Sequence, residues 1–177
     1  MPPIFRPGPG PFALALAMTS IKLGERLLYA GSGTPALFGT LAAKVGLTGH
    51  AAAVAEHPHD VAALQQAGAN AGALVEVEQV APASLPFDAD SFDLVVVDAA
   101  TGSLNHAGRW LPQALRTLRV GGRLIVVERT GGGLLGALFK SAGKADAALH
   151  MLEASGFRPA RIIADRDGWR FTGGLKR

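Results

Sequence analysis

Short apolar runs alternate with helical segments along most of the chain. Apolar runs of about four to eight residues between turn residues predict strands buried on both faces, as in a parallel sheet covered by helices. The strongest of them is 92–98, which contains Leu-Val-Val-Val. The other predicted strands are 27–30, 51–55, 74–80, 123–128, 157–164 and 169–172. The predicted helices are 12–23, 35–45, 59–67, 108–118 and 144–155.

This order of elements predicts the α/β class. Strands that alternate with helices form a Rossmann-like, doubly wound and mostly parallel sheet, here of seven strands. The segment 165–168, Asp-Arg-Asp-Gly, precedes an aromatic strand and predicts an antiparallel C-terminal hairpin. The glycine-containing segments 68–72 and 121–122 are expected to end a helix and to turn the chain. We expect one domain over 1–177, in which 1–23 forms an N-terminal arm and helix.

A glycine turn follows the first predicted strand. Residues 27–35 are Leu-Leu-Tyr-Ala-Gly-Ser-Gly-Thr-Pro, an apolar strand that leads through Gly-Ser-Gly into a helix. Gly31 and Gly33 allow a sharp turn and the close approach of a ligand, because neither residue has a Cβ. The helix that follows directs free N–H groups to the same place. The segment therefore predicts a pocket for a nucleotide-like cofactor.

Composition excludes several kinds of chemistry. The 177 residues include no cysteine, which rules out disulfides, a thiolate nucleophile and Cys-ligated metals, and which favours a cytoplasmic location. No apolar run approaches the ~18–20 residues of a transmembrane helix. His57 and His59 are separated by one residue, which is not the spacing of a metal site, so no metal is predicted.

Charge is divided unevenly along the chain. Residues 1–104 contain 4 Lys/Arg and 9 Asp/Glu, whereas residues 105–177 contain 13 and 5. A basic half can face an acidic substrate, a nucleic acid or an anionic membrane surface, but these arginines are scattered, which favours a solvated surface over nucleic-acid binding.

The segment 131–139, a glycine hinge and an apolar run, is open to three roles: a lid over a substrate, a contact for a membrane-bound quinone or partner, and core packing.

Four segments, taken in order, resemble the motifs of class I S-adenosylmethionine-dependent methyltransferases. Residues 27–35 resemble the glycine motif, and 85–93 resemble its Leu-Pro-Phe…Ser-Phe-Asp stretch. Residues 115–124 are similar to the Arg-Val-Leu-Lys-Pro-Gly-Gly signature, and 154–157 to the late Ala-Gly-Phe turn. The resemblance covers about 24–176, and its nearest subgroup is the small-molecule and quinone C-methyltransferases. It implies S-adenosylmethionine as the cofactor and a small molecule as the methyl acceptor.

The chain also departs from this family at four positions. Tyr29 stands where the family has an acidic residue that helps to hold the amino end of the cofactor, and Pro35 replaces the third glycine. Ala55 falls where an acidic residue normally binds the ribose hydroxyls, although Glu56 follows it directly. Ala81 falls where an acidic residue near the adenine is expected. These departures favour a rival function, a non-catalytic binding or scaffold protein that has lost the cofactor.

The resemblance implies a cofactor site at the ends of the first, second and fourth strands. Tyr29 is expected either to contact the ligand or to fill the pocket. Glu56 is expected either to take over the ribose contact or to be solvated, and His57 to lie near the adenine. The expected cofactor-binding residues are Tyr29, Ala30, Gly31, Ser32, Gly33, Glu56, His57 and Asp98.

No catalytic residue is assigned by the sequence. Asp98, at the end of the strongest strand, and His106, in the loop after it, are candidates for substrate positioning or for a general base. Asp98 has the alternative role of capping the turn that follows. Methyl transfer from a sulfonium depends mainly on positioning and on exclusion of water, so the lack of an obvious acid or base does not argue against activity.

A nicotinamide-dependent oxidoreductase is a more distant alternative. Residues 31–36 match the Gly-x-Gly-x-x-Ala form of the dinucleotide fingerprint, and Glu56 lies 23 residues after Gly33. The only tyrosine is Tyr29, however, which excludes a catalytic Tyr-x-x-x-Lys pair.

A methyltransferase fold without large insertions has little to cover its substrate, which favours a homodimer or a protein partner that supplies the cover.

Overall fold

Strands and helices alternate through the part of the chain that the computed structural model describes, residues 12–130 and 142–177. The strands there are β1 (Arg26–Ala30), β2 (His50–Ala55), β3 (Glu76–Gln79), β4 (Phe92–Asp98), β5 (Leu118–Arg129), β6 (Ala160–Arg166) and β7 (Trp169–Leu175). The helices are α1 (Ala13–Thr19), α2 (Pro35–Val45), α3 (Pro58–Asn70), α4 (Leu104–Gly108), α5 (Leu111–Thr117) and α6 (Ala142–Ala154).

The seven strands form one sheet in the order β3-β2-β1-β4-β5-β7-β6. The pairs from β3 to β5 are parallel. The C-terminal hairpin places β7 between β5 and β6, and β7 runs antiparallel to both. The α/β class, the Rossmann-like seven-stranded sheet and the antiparallel C-terminal hairpin are thus confirmed.

Helices cover both faces of the sheet, which explains why the central strands have apolar residues on both sides. In β1, Leu27 and Tyr29 pack on the face covered by α1, α2 and α3. Leu28 and Ala30 pack on the opposite face, against α4, α5 and α6. Since β1, β2 and β4 are adjacent and parallel, their carboxyl ends meet at one edge of the sheet, where open α/β sheets bind ligands.

Two predicted boundaries were wrong, both at glycine residues. Helix α3 continues through Gly68, because a Cβ at this position would lie 2.5 Å from Val75 Cγ2 and glycine allows the close contact. Gly121 and Gly122 lie inside β5 instead of in a turn. A register shift between Phe92 and Leu94 takes up the extra residues as a bulge.

The other differences concern helix ends. The helix predicted over 12–23 ends at Thr19, since Ser20 adopts a left-handed conformation with φ 50°. The helix predicted over 108–118 corresponds to α5, which begins at Leu111 with Pro112 in its first turn, and the short helix α4 before it was not predicted. The arm expected over 1–10 and the segment 131–139 lie outside the described residues.

Candidate functional site

A cavity of about 140 Å³ lies where β1, β2 and β4 end. A neighbouring cavity of about 290 Å³ shares Glu56 and His57 with it and extends to the end of β3 at Gln79. The structure therefore brings together most of the predicted cofactor residues at the expected edge of the sheet. Those that line the first cavity are Gly31, Ser32, Gly33, Glu56, His57 and Asp98.

The glycine turn packs directly on the end of β4. Gly31 has φ +106°, and a Cβ on it would lie 2.9 Å from the backbone oxygen of Asp98. A Cβ on Gly33 would lie 2.8 Å from Oδ1 of Asp98 and 2.9 Å from the Thr101 hydroxyl. Both positions therefore require glycine for the protein's own packing, in addition to the ligand approach inferred from the sequence.

Tyr29 lies in the core below this turn. Its side chain is fully buried and packs against Phe38, with ring centroids 5.4 Å apart. Its hydroxyl donates a hydrogen bond to Oδ2 of Asp98. Burial, and then the neighbouring carboxylate, raise the pKa of Tyr29 well above its usual value, so the hydroxyl keeps its proton. Tyr29 and the buried Ala30 do not line the cavity, and a direct cofactor contact by either residue stays a prediction.

Asp98 connects the glycine turn to the loop after β4. Its Oδ2 accepts the Thr34 N–H at 2.6 Å, and its Oδ1 accepts the Ala100 N–H at 2.8 Å. Burial raises the pKa of Asp98 above its usual value, although hydrogen bonds from Tyr29, Ala100 and Thr34 act in the opposite direction. Asp98 therefore caps the turn, as one interpretation held, and also presents a carboxylate to the cavity.

Glu56 bridges from the end of β2 to α4. Its Oε2 lies 2.8 Å from Nε2 of His106, and its Oε1 lies 3.3 Å from Nη1 of Arg109. The Glu56 side chain is 20% exposed, whereas those of His106 and Arg109 are 50% and 55% exposed. Ser103 caps α4 by accepting the His106 N–H at 3.1 Å, which fixes the start of this short helix. Glu56 is thus an ion-paired residue at the cavity wall.

Sequence reasoning missed several residues of the site. Thr101 and Gly102 belong to the loop after β4, so the rule that selected Asp98 also pointed to them. Arg109 lies three residues after His106, a spacing that places two side chains on one side of a helix, but the predicted helix began too late to include both. Asp60, in the first turn of α3, and the buried Trp110 gave no separate signal in the sequence.

Residues 28–126 match the model of a family described as a methyltransferase domain. The matched part is more than half of the chain. It includes the glycine turn, Glu56, Asp98, His106 and Arg109. The chain belongs to the methyltransferase-domain family. The resemblance to class I methyltransferases is thereby confirmed, and membership supports S-adenosylmethionine as the cofactor.

Solved structures of other methyltransferases share the fold. A SAM-dependent methyltransferase from Aquifex aeolicus is 17% identical with a TM-score of 0.73, over 93% of this chain and 88% of that one. The methyltransferase-fold partner in a complex with the Trm112 methyltransferase activator of Haloferax volcanii is 16% identical with a TM-score of 0.66, over 92% and 86%. The [4+2]-cyclase SpnF is 24% identical with a TM-score of 0.59, over 85% and 57%. None of the curated proteins compared with the chain matches it.

Two further features concern residues 12–130 and 142–177 only. No group of three or more His, Cys, Asp and Glu side chains there could hold a metal ion. No helix in the same ranges has the length and apolar character needed to cross a membrane.

Proposed function

We propose that this protein is an S-adenosylmethionine-dependent methyltransferase that acts on a small molecule. The observation that carries the proposal is the placement of two carboxylates, Asp98 and Glu56, on the cavity formed by the Gly31–Gly33 turn. When bound, the cofactor supplies a methyl group on a positively charged sulfur. The two carboxylates fit this molecule, because they can accept hydrogen bonds from its ammonium group and from its pair of ribose hydroxyls. Family membership favours methyl transfer over the nicotinamide alternative.

Asp98 takes the role of the acidic residue that is absent at position 29. Tyr29 reaches its carboxylate from β1, so a negative charge is available at the glycine turn although it comes from β4. Among the described residues no cation forms an ion pair with Asp98, which leaves its charge for the amino end of the cofactor. A hydrogen bond to a charged group contributes about 1.5–3 kcal/mol, which is roughly a tenfold to hundredfold change in affinity.

Glu56 takes the ribose contact one position later than the family pattern. Ala55 is 1% exposed and belongs to the core, whereas Glu56 lines both cavities. His57 also lines both and is proposed to border the adenine. These residues bind and orient the cofactor, and exclusion of water from the reacting atoms is left to a cover over the cavity. Neither Asp98 nor His106 needs to act as a base for this chemistry.

The non-catalytic alternative rests on a specific observation as well. Both oxygens of Glu56 are already bound by His106 and Arg109, as expected for a wall that no longer admits a ribose. One of the structures that share the fold is a [4+2]-cyclase, which illustrates that the fold alone does not determine the function.

The proposal includes a protein partner or a second copy of the chain that covers the cavity. One structure with this fold is a complex with an activator protein, and this favours a partner or a second copy over the exposed cavity. The absence of cysteine supports a cytoplasmic location for the assembly.

Calorimetric titration with S-adenosylmethionine and S-adenosylhomocysteine tests the proposal. We expect a micromolar dissociation constant for the native chain and a loss of about tenfold to hundredfold in Asp98→Asn and in Glu56→Gln. Asp88→Asn, on an exposed loop, and Glu76→Gln, on the edge strand β3, are the matched controls and should bind as the native chain does. No heat at millimolar ligand would support the non-catalytic alternative.

A further inference from the structure

Two side chains, His106 on α4 and Arg109 directly after it, hold the carboxylate that the cofactor is proposed to use. His106 and Arg109 contact different oxygens of Glu56, at 2.8 and 3.3 Å, and Nη1 of Arg109 lies 3.4 Å from Nδ1 of His106. His106 and Glu56 line the same cavity, so their contact stands at its wall. A ribose diol that reached both oxygens of Glu56 would meet both side chains there.

We propose that His106 and Arg109 form a binding site for an anionic group of the methyl acceptor, a carboxylate or a phosphate, and that cofactor binding opens this site. The inference rests on the proposed function, because it assigns Glu56 to the ribose. The ribose hydroxyls replace the two side chains on the carboxylate, and His106 and Arg109 can then donate hydrogen bonds to another acceptor.

Exposure indicates which side of the contact moves. Glu56 follows directly after the buried end of β2, and its side chain is 20% exposed. The side chains of His106 and Arg109 are about half exposed. The arginine side chain is long and has several rotatable bonds, so it can leave Glu56 while α4 stays in place. The change therefore needs only side-chain rotation.

Acidic and basic side chains meet at the cavity. Asp98 and Glu56 lie at the strand ends, and Asp60 lies in the first turn of α3, so this side of the cavity is acidic. The Arg109 guanidinium meets this acidic side at Glu56, and His106 contacts the same carboxylate from α4. A positively charged cofactor fits the acidic side, and an acceptor with a negative group fits the guanidinium once it has left Glu56. An arginine fork beside a second donor is a common way to bind carboxylate and phosphate.

Coupling between the two ligands follows from the shared carboxylate. Each ligand removes an obstacle for the other, so the cofactor and the anion should increase each other's affinity by the same factor. The coupling is therefore positive whichever ligand binds first.

Anion titrations with and without cofactor test this coupling. Benzoate and inorganic pyrophosphate are titrated into the native protein, alone and saturated with S-adenosylhomocysteine, and followed by calorimetry and by the His106 imidazole proton signal. We expect at least one of the two anions to bind about tenfold more tightly with the cofactor product present. The anion that responds identifies the carboxylate or the phosphate class.

Three variants separate the parts of the inference. In Glu56→Gln the anion should bind without S-adenosylhomocysteine, at the affinity of the saturated native protein. Arg109→Gln should lose the anion in both states and still bind S-adenosylhomocysteine. Arg119→Gln is the matched control, because Arg119 is similarly exposed and pairs with Asp93 away from the cavity.

The outcomes distinguish this inference from the proposed function. If S-adenosylhomocysteine binds but leaves both anion affinities unchanged, the inference is wrong and the proposed function stands. If S-adenosylhomocysteine does not bind, the proposed function fails and the coupling fails with it. Equal anion binding by Arg109→Gln and the native protein would also overturn the assignment of the site.

Discussion

The Tyr29 hydroxyl donates a hydrogen bond to the Asp98 carboxylate, and so it joins β1 to β4 beneath the glycine turn. The two residues are 69 positions apart in the chain. Tyr29 stands where related methyltransferases have an acid, so the phenol links that position to a carboxylate on the neighbouring strand. A carboxylate therefore lies beside the glycine turn although position 29 itself carries none.

Tyr29→Phe tests the structural part of this link. The ring still packs on Phe38, but Asp98 loses one of its donors while it stays buried. We expect the free energy of unfolding to fall by about 1–3 kcal/mol, as for a buried polar group that loses a partner. Urea unfolding measures this change. An unchanged stability would mean that Thr34 and Ala100 satisfy Asp98 without the tyrosine.

The same variant should also weaken cofactor binding. Without the Tyr29 hydroxyl, the Asp98 carboxylate is less firmly oriented and its pKa rises further, since that hydrogen bond favours the ionised form. We expect a smaller loss of S-adenosylmethionine affinity in Tyr29→Phe than in Asp98→Asn. Calorimetry on the two variants decides the order, and a larger loss in Tyr29→Phe would contradict it.

Much of the fold could be predicted from the sequence because each element carries a local signal. Within the strand 92–98, residues 94–97 are all apolar, so both faces must be covered there. Pro35 marks the start of α2, and Asp167-Gly168 marks the hairpin. Boundaries failed at Gly68, where glycine allows a close contact with Val75, and at Gly121, which lies in a bulge that no local pattern contains.

The site could be predicted only as a set of strand ends. Asp98 was found because it ends a strand, but its bond to Tyr29 depends on the pairing of β1 with β4, in which Tyr29 aligns with Val96. The contact of Glu56 with His106 and Arg109 likewise depends on how the short helix α4 lies beside β2. Such contacts join residues that are far apart in sequence, and tertiary packing alone determines them.

Gly33→Ala should disturb the site more than the fold. The new Cβ would lie within 3 Å of the Asp98 carboxylate and of the Thr101 hydroxyl, so both must move. We expect a loss of S-adenosylmethionine affinity of at least about tenfold, with a modest decrease in Tm. Gly102→Ala is the control for stability, because nothing lies within 4 Å of a Cβ at that position. Equal cofactor affinity in Gly33→Ala and the native chain would show that Asp98 does not contact the ligand.

Arg123 attaches the end of α1 to the sheet, and its partner Glu25 gives the contact a pH dependence. Arg123 donates to both oxygens of Glu25, at 2.9 and 2.7 Å, and to the carbonyl oxygens of Thr19 and Ser20. Burial raises the pKa of Glu25, but the bonds from Arg123 and from the Lys22 N–H outweigh it and hold this pKa below its usual value of 4.5. The pair therefore contributes stability above pH 4.5, and the contribution is lost as the pH falls through the lower pKa of the folded state.

Glu25→Gln makes this dependence measurable. The native chain should be more stable than the variant at neutral pH, and the difference should decrease as the pH falls from 4.5 through the lower folded-state pKa of Glu25. Guanidinium unfolding between pH 3 and 7 follows it, with Glu78→Gln on the exposed edge strand β3 as the control. A stability difference that stays constant over this range would contradict the assignment to the ionised pair.

Glu128 offers the opposite case of a carboxylate whose charge is unfavourable in the folded state. Burial raises the pKa of Glu128 above its usual value of 4.5; Arg170 lowers it, and Asp165 raises it again. Its Oε2 is buried and accepts no hydrogen bond from the described residues. Since the folded-state pKa is the higher one, the group favours folding below the unfolded-state pKa, and this contribution is lost as the pH rises through the folded-state value.

Glu128→Gln should therefore raise Tm relative to the native chain, and the gain should grow from pH 4 to pH 8. At pH 4 both side chains are mostly neutral in the folded protein, whereas at pH 8 only the native one is ionised beside Asp165. Thermal unfolding across this range measures the gain, and Glu153→Gln on the exposed side of α6 serves as the control. A variant less stable than the native chain at pH 8 would mean that the attraction of Glu128 to Arg170 exceeds the cost of burial.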